Sequence, residues 1–273
     1  MPYLKNGNAR IYYEVHGTNE GRSPLLLTHG YSSTSEMWKG QVEELSKSFR
    51  LVVWDMRGHG LTEVDPADDQ TAYSERTTMS DMSALLDHVV ADPDEKVIVG
   101  GLSLGGYMSL AFYRSHPERV KALLIIDTGP GFKKDSARDA WNETAFATAD
   151  KFSKGGLEVL RSMSAERASV NHRSAHGLVM AARGMLTQRD SSVIDSLAAV
   201  KVPALVVVGA EDKPFLAASQ YMTNKIPGAK KVVVPDAGHA VNIDQPKRFL
   251  EAVMPFLNEV ENRQNEPKAK ALL

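Results

Sequence analysis

The chain contains no cysteine. That rules out disulfides and any thiolate-ligated metal, and it suits a reducing compartment. It also lacks a surplus of either charge: 32 Lys and Arg against 34 Asp and Glu leave a net charge of −2. Both signs are spread along the chain, so no basic stripe marks a nucleic-acid partner and no polybasic amphipathic segment marks a membrane surface. No apolar run approaches the roughly 20 residues of a membrane span. The opening MPYLKNGNAR has neither the charged n-region nor the apolar h-region of a secretory signal, so a cytoplasmic location is expected. Internal repeats are absent. What remains is 273 residues, 42% of them hydrophobic, enough for one large domain or a domain carrying an inserted lobe.

What is present is a series of short apolar runs. Leu25–Leu27, Leu51–Trp54, Val97–Val99, Leu123–Ile126, Leu205–Val208 and Val232–Val234 are apolar without alternation, the pattern of parallel strands covered on both faces. Ahead of them, Asn6-Gly7 between two β-prone stretches predicts an N-terminal hairpin. Helix-length segments lie between several runs. One places Met79, Met82, Leu85, Leu86, Val89 and Val90 on one face, with Thr78 and Asp81 spaced as a capping box. Another starts at Pro246 and should kink at Pro255. Alternating strand and helix predicts an α/β sheet with right-handed crossovers. Residues 132 to 190 break the alternation: polar, rich in Ala and Met and helical in character, they read as a helical lobe inserted between two strands, or else as a pair of long crossover helices.

The most informative stretch is VIVGGLSLGGYMSL, residues 97 to 110. Ser103 falls where a buried strand turns into a buried helix. Gly101 and Gly105 allow the backbone to pass close to itself there, and Gly106 lets the helix approach the sheet. Such a turn pushes the hydroxyl out at the carboxyl edge of the sheet, where the helix start offers unpaired N–H groups to a developing anion. Gly101-Leu102-Ser103-Leu104-Gly105 thus has G-x-S-x-G spacing in the context that the motif requires. A serine is a weak nucleophile unless a base takes its proton and a third group orients the base. Later strands end in Gly209-Ala210-Glu211-Asp212 and in Pro235-Asp236-Ala237-Gly238-His239, so the chain order is serine, acid, histidine.

With His29-Gly30-Tyr31 and Asp55-Met56-Arg57-Gly58-His59-Gly60, these motifs make the sequence resemble the α/β-hydrolase superfamily over nearly its whole length. The resemblance implies an α/β-hydrolase fold: a mostly parallel eight-stranded sheet flanked by helices, with a helical cap after the sixth strand. Residues 1–130 and 191–265 would form the core, 131–190 the cap and 266–273 a frayed tail. It implies Ser103 as nucleophile, His239 as general base and Asp212, three residues after Gly209, as orienting acid, with Glu211 and Asp127 as alternative acids. The oxyanion hole would use the backbone N–H groups of Tyr31 and Leu104, and Gly30, Tyr31 and Leu104 would border the substrate pocket. Asp55, Arg57 and Gly58 would pin a loop. Thr62 stands where many relatives have serine.

The activity so implied is cleavage of a carboxylic ester or lactone through an acyl-serine, with a small-molecule substrate, no cofactor and no metal, in a monomer or homodimer. Carbon–carbon bond hydrolysis of ring-cleavage products is the alternative within the same chemistry. A cofactor-free oxygenase or lyase and a ligand-binding member of the fold are the alternatives outside it. A diacid substrate would want a buried arginine near Ser103, for which Arg161, Arg167, Arg173 and Arg183 are candidates. His172 and His176, four residues apart, have a metal-ligand spacing but no acidic partner in the same motif.

Overall fold

The structure, a computed structural model, describes residues 3–18, 21–65, 67 and 69–265. The tail expected to fray lies outside the described residues. The strands are β1 (Tyr3–Asn6), β2 (Ala9–His16), β3 (Pro24–Thr28), β4 (Arg50–Trp54), β5 (Glu63–Val64), β6 (Val97–Leu102), β7 (Val120–Ile126), β8 (Ala204–Gly209) and β9 (Lys230–Val234). Their order across the sheet is β1-β2-β4-β3-β6-β7-β8-β9, with β5 paired to β2 off that path. The pairings of β2 with β1, β4 and β5 are antiparallel, and every other pairing is parallel. Gly7, at φ +60, makes the turn of the N-terminal hairpin.

The absence of alternation has its reason here for five of the six apolar runs, because β3, β4, β6, β7 and β8 are buried at every residue, whereas β9, at the edge of the sheet, leaves Val233 41% exposed and is not covered on both faces. Leu26, Val52, Val99, Leu123, Ile125 and Val206 face one layer, with α2 (Glu75–Val89) and α3 (Leu104–Ser115). Leu25, Leu51, Ile98, Leu124 and Val207 face the other, with α1 (Lys39–Ser48) and α10 (Pro246–Asn265). Burying a Leu or Ile side chain contributes roughly 1.5–3 kcal/mol, so these two layers carry most of the driving force for folding.

One helix boundary differs from expectation. Helix α2 starts three residues before Thr78: Ser74 is the N-cap, its hydroxyl accepting from the Thr77 N–H at 3.2 Å. Asp81 makes no capping box, because a buried pair with Arg57 (2.7 and 2.8 Å) uses both its oxygens. That pair, with Arg57 also donating to Asn8 and to the Asn6 carbonyl, ties the loop after β4 to the first hairpin. Helix α10 runs through Pro255 as a single element. Between β7 and β8 the chain forms α4 (Asp135–Gly155), α5 (Ala165–Ser169), α6 (Ala175–Gly184) and α7 (Ser192–Ser196), with no strand. Beyond β8 lie α8 (Lys213–Lys225) and α9 (Val241–Asp244). Among the described residues no helix is long and apolar enough to cross a membrane.

Candidate active site

Ser103 sits between β6 and α3 at φ 56 and ψ −118, a backbone conformation that costs a non-glycine residue on the order of 1–3 kcal/mol. The surroundings enforce it. The Ser103 N–H donates to the Ile126 carbonyl of β7 at 2.9 Å, and its own carbonyl accepts from the Tyr107 N–H at 3.0 Å, closing the first turn of α3. A Cβ on Gly105 would lie 2.1 Å from the Thr28 carbonyl oxygen, and one on Gly101 would lie 2.5 Å from the Gly105 carbonyl carbon. The turn therefore closes only with glycine on both sides of the serine. Leu104 is the first residue of α3, so its N–H belongs to the unpaired donors of a helix start. Gly30 packs against the serine: a Cβ there would stand 3.4 Å from the Ser103 Cβ.

Asp212 and His239 come from the ends of β8 and β9, and their loops touch because Gly209 has no side chain; a Cβ on it would lie 2.2 Å from the Gly238 carbonyl oxygen. The contact brings His239 Nδ1 to 2.8 Å from an Asp212 carboxylate oxygen. Nδ1–H donates to that carboxylate, which leaves Nε2 unprotonated and able to accept a proton. Asp212 is buried while His239 is partly open. Phe215, one turn into α8, stacks on the imidazole at 5.1 Å between ring centroids. Glu211 is exposed, with its N–H on the Ala237 carbonyl.

Asp127, the other alternative acid, does not reach His239. Its carboxyl accepts from the N–H groups of Gly209 (2.8 Å) and Val241 (3.3 Å), beneath Asp212. Burial first, and then the adjacent Asp212 carboxylate, push its pKa well above the usual carboxylate range. A protonated Asp127 is a donor toward Asp212, which places it behind the acid rather than in contact with the histidine.

Ser103 and Leu104 open onto a cavity of about 150 Å³, walled by Tyr107, Pro130, Phe132, Trp141, Met185, Leu186, Gln188, Phe215 and Ala218. Of the three residues expected to border the substrate pocket, Leu104 does. Gly30 instead backs the serine, and the Tyr31 ring turns away. Tyr31 is buried, donates its hydroxyl to the Leu178 carbonyl at 2.8 Å and packs edge-on against His59 and Phe152. Helix α4 supplies Trp141, and the residues after α6 supply Met185, Leu186 and Gln188, none of which any motif singles out. Phe215 carried one signal, its place three residues after Asp212. A larger cavity of about 660 Å³ lies between residues 34–40 and 165–171 and touches neither Ser103 nor His239, so its size gives it no claim on the chemistry.

The remaining candidates fall elsewhere. Arg161, Arg173 and Arg183 are ion-paired with Glu158, Glu63 and Asp150. Arg167 is mostly buried close to Tyr31, with no partner on its Nε, but it does not border the serine cavity. His172 precedes α6 rather than lying on it with His176, and it ties the segment between β7 and β8 to the loops after β3 and β4: Nδ1 accepts from the Gly60 N–H at 3.0 Å and Nε2 donates to the Ser32 carbonyl at 3.2 Å. No cluster of potential metal ligands occurs among the described residues. Asp55 binds the N–H groups of Ser35 (2.7 Å) and Leu61 (2.8 Å), and Thr62 donates to the Asp55 carbonyl, so this loop is a brace for the site.

The chain is similar to several known proteins. The chain is 28% identical to a putative 2-succinyl-6-hydroxy-2,4-cyclohexadiene-1-carboxylate synthase of Bacillus subtilis, over 89% of this chain and 93% of the relative. It is 25% identical to a pimeloyl-[acyl-carrier protein] methyl ester esterase of Edwardsiella ictaluri, over 88% and 95%. The solved structure of a thermophilic esterase from Thermogutta terrifontis superposes with a TM-score of 0.79 at 29% identity, covering 93% of this chain and 94% of that one. The family profile described as alpha/beta hydrolase family matches residues 25–252. An elbow serine, a mostly parallel sheet and a match over most of the chain lead to one conclusion: this protein belongs to the alpha/beta hydrolase family and is an enzyme of it.

Proposed function

We propose that the protein hydrolyses a carboxylic ester or lactone through an acyl-Ser103 intermediate, with the segment between β7 and β8 acting as a cap over the site. The observation that carries the reading is the 2.8 Å contact of His239 with Asp212, which orients a base, together with Ser103 on its strained turn above the sheet edge. His239 Nε2 takes the Ser103 proton as the hydroxyl oxygen attacks the carbonyl carbon. The resulting oxyanion is received by the N–H groups of Leu104 and Tyr31, each such donor worth roughly 10²–10³ in rate. The protonated imidazole then gives its proton to the leaving alkoxide. Water, deprotonated by the same nitrogen, attacks the acyl-serine and releases the acid. Asp212 stabilises the imidazolium at both stages. Every proton transfer is made by this chain's own side chains. Two of the relatives, named as esterases, support the ester-cleaving form of this chemistry.

The test is intact mass after treatment with a fluorophosphonate, on wild type and on Ser103→Ala. One adduct on the wild type and none on the variant is the expected result, with hydrolysis of p-nitrophenyl esters lost in parallel. A folded wild type that takes no adduct and turns over no ester would refute the reading. Turnover of another substrate that survives Ser103→Ala would transfer the chemistry to proton abstraction by His239.

A further inference from the structure

Apart from the Ser103 hydroxyl, the serine cavity is apolar but for one side chain left without a partner. Gln188 is only 9% exposed, and its carboxamide oxygen is buried with no hydrogen bond. Among the described residues its NH2 group has no partner either. The other polar side chains bordering the cavity are committed: Tyr107 donates its hydroxyl to Glu75 at 3.1 Å, and the Trp141 Nε1–H goes to the Leu186 carbonyl at 2.7 Å. Thr128 sends its hydroxyl to the Gly129 carbonyl. A buried amide without a partner is unfavourable in a folded protein and calls for one from outside it.

The backbone around Gln188 is held as though to aim that amide. Asn142 of α4 clamps it from both sides, its Oδ1 accepting from the Gln188 N–H at 2.8 Å and its Nδ2 donating to the Gln188 carbonyl at 2.9 Å. With the Trp141 bond, three hydrogen bonds fix residues 186–188 against α4. Gly131 leaves space for the amide, since a Cβ there would stand 2.8 Å from the Gln188 Oε1. Rotation about the last side-chain bond presents either the oxygen or the NH2 to the cavity, so the amide can answer a donor or an acceptor.

Resting on the ester-hydrolase reading above, we propose that Gln188 determines acyl specificity, and that the substrate's acyl group is short and carries a neutral hydrogen-bonding oxygen away from the scissile carbonyl. The cavity of about 150 Å³ corresponds to roughly five water-sized groups, which sets the length of the chain it takes. The walls of Met185, Leu186, Phe132 and Phe215 suit methylenes. A carboxylate at that place would exchange its hydration for one uncharged amide, so a keto, ether or hydroxyl oxygen is the fitting group.

The test compares p-nitrophenyl pentanoate with the 4-oxopentanoate, which differs by one CH2 turned into C=O, and with the hemisuccinate. Wild type should favour the 4-oxopentanoate over the pentanoate about 3–10-fold in kcat/KM, the value of one neutral hydrogen bond. Gln188→Leu should abolish that preference and raise the pentanoate, with the hemisuccinate slowest for both enzymes. Gln188→Met serves as the second variant if leucine does not fold. A wild-type ratio near one, a ratio unchanged by the substitution, or a preference for the hemisuccinate would overturn the proposal while leaving the ester reading intact. Hydrolysis of none of the three by a folded wild type that still takes the fluorophosphonate would overturn this proposal alone, and with no adduct either the ester reading would fall with it.

Discussion

Replacing His172 by asparagine should make the protein less stable at pH 8 and no less stable at pH 5. His172 is 8% exposed, and its Nδ1 accepts from a backbone N–H, so only the neutral ring fits. Burial, then the neighbouring His29, lowers its pKa from 6.5 to about 4. The unfolded chain binds a proton near pH 6.5 and the folded one does not. The histidine's contribution is therefore complete above pH 6.5 and is lost as the pH falls toward 4. Between pH 7 and pH 5 that loss comes to about 2 kcal/mol, at about 1.4 kcal/mol for each pH unit well inside the gap. In His172→Asn the side-chain oxygen can still accept from the Gly60 N–H, while the Ser32 carbonyl loses its donor, a cost of about 1 kcal/mol. The burial that makes His29 and His59 acid-sensitive is common to both proteins. Urea unfolding of the two proteins at pH 8, 7, 6 and 5 measures the difference directly. It should be about 1 kcal/mol against the variant at pH 8 and vanish or reverse by pH 5. A difference that stays constant across that range would refute the assignment of a neutral, buried His172.

Other perturbations have equally definite outcomes. Asp212→Asn should lower kcat for ester hydrolysis by roughly 10³–10⁴-fold, since asparagine misdirects the imidazole tautomer, while Asp127→Asn should stay within about tenfold of wild type. The raised pKa of Asp127 means that wild type loses this residue's contribution as pH rises through that value, and the asparagine does not. The Tm of Asp127→Asn should accordingly gain on that of wild type from pH 5 to pH 8. Gly105→Ala should fail to accumulate as folded protein, because its Cβ would meet the Thr28 carbonyl oxygen at 2.1 Å, a backbone atom that cannot move aside. Asp81→Ala strands Arg57 as a buried unpaired cation and should cost about 3–5 kcal/mol in a denaturation experiment.

Local sequence was enough for the sheet and the elbow. Runs such as Leu25–Leu27 and Val206–Val208 are apolar without alternation, and only strands covered on both faces have use for that, so their burial is legible in the residues themselves. The turn at Ser103 is legible for a steric reason, because glycines on both sides of a lone polar residue mark a close backbone approach, and the approach is there. The serine, acid, histidine order was equally plain. Packing settled the rest. Ser74 and Thr78 are both competent caps, and the choice fell to Ser74 because Asp81 is drawn into its pair with Arg57. His172 has a metal-like spacing to His176, yet it is a latch onto the loops after β3 and β4 because α6 begins only after it. Tyr31 stands in a motif that implied a place beside the substrate, but its hydroxyl bonds the Leu178 carbonyl and its ring packs against Phe152. Gln188, Trp141 and Phe215 border the cavity only because α4, the residues after α6 and α8 converge over the edge of the sheet. A helix that covers a site and a helix that faces solvent are written in the same amphipathic code. Which face meets which cavity is settled by contacts between segments far apart in the chain, and that is information no local pattern holds.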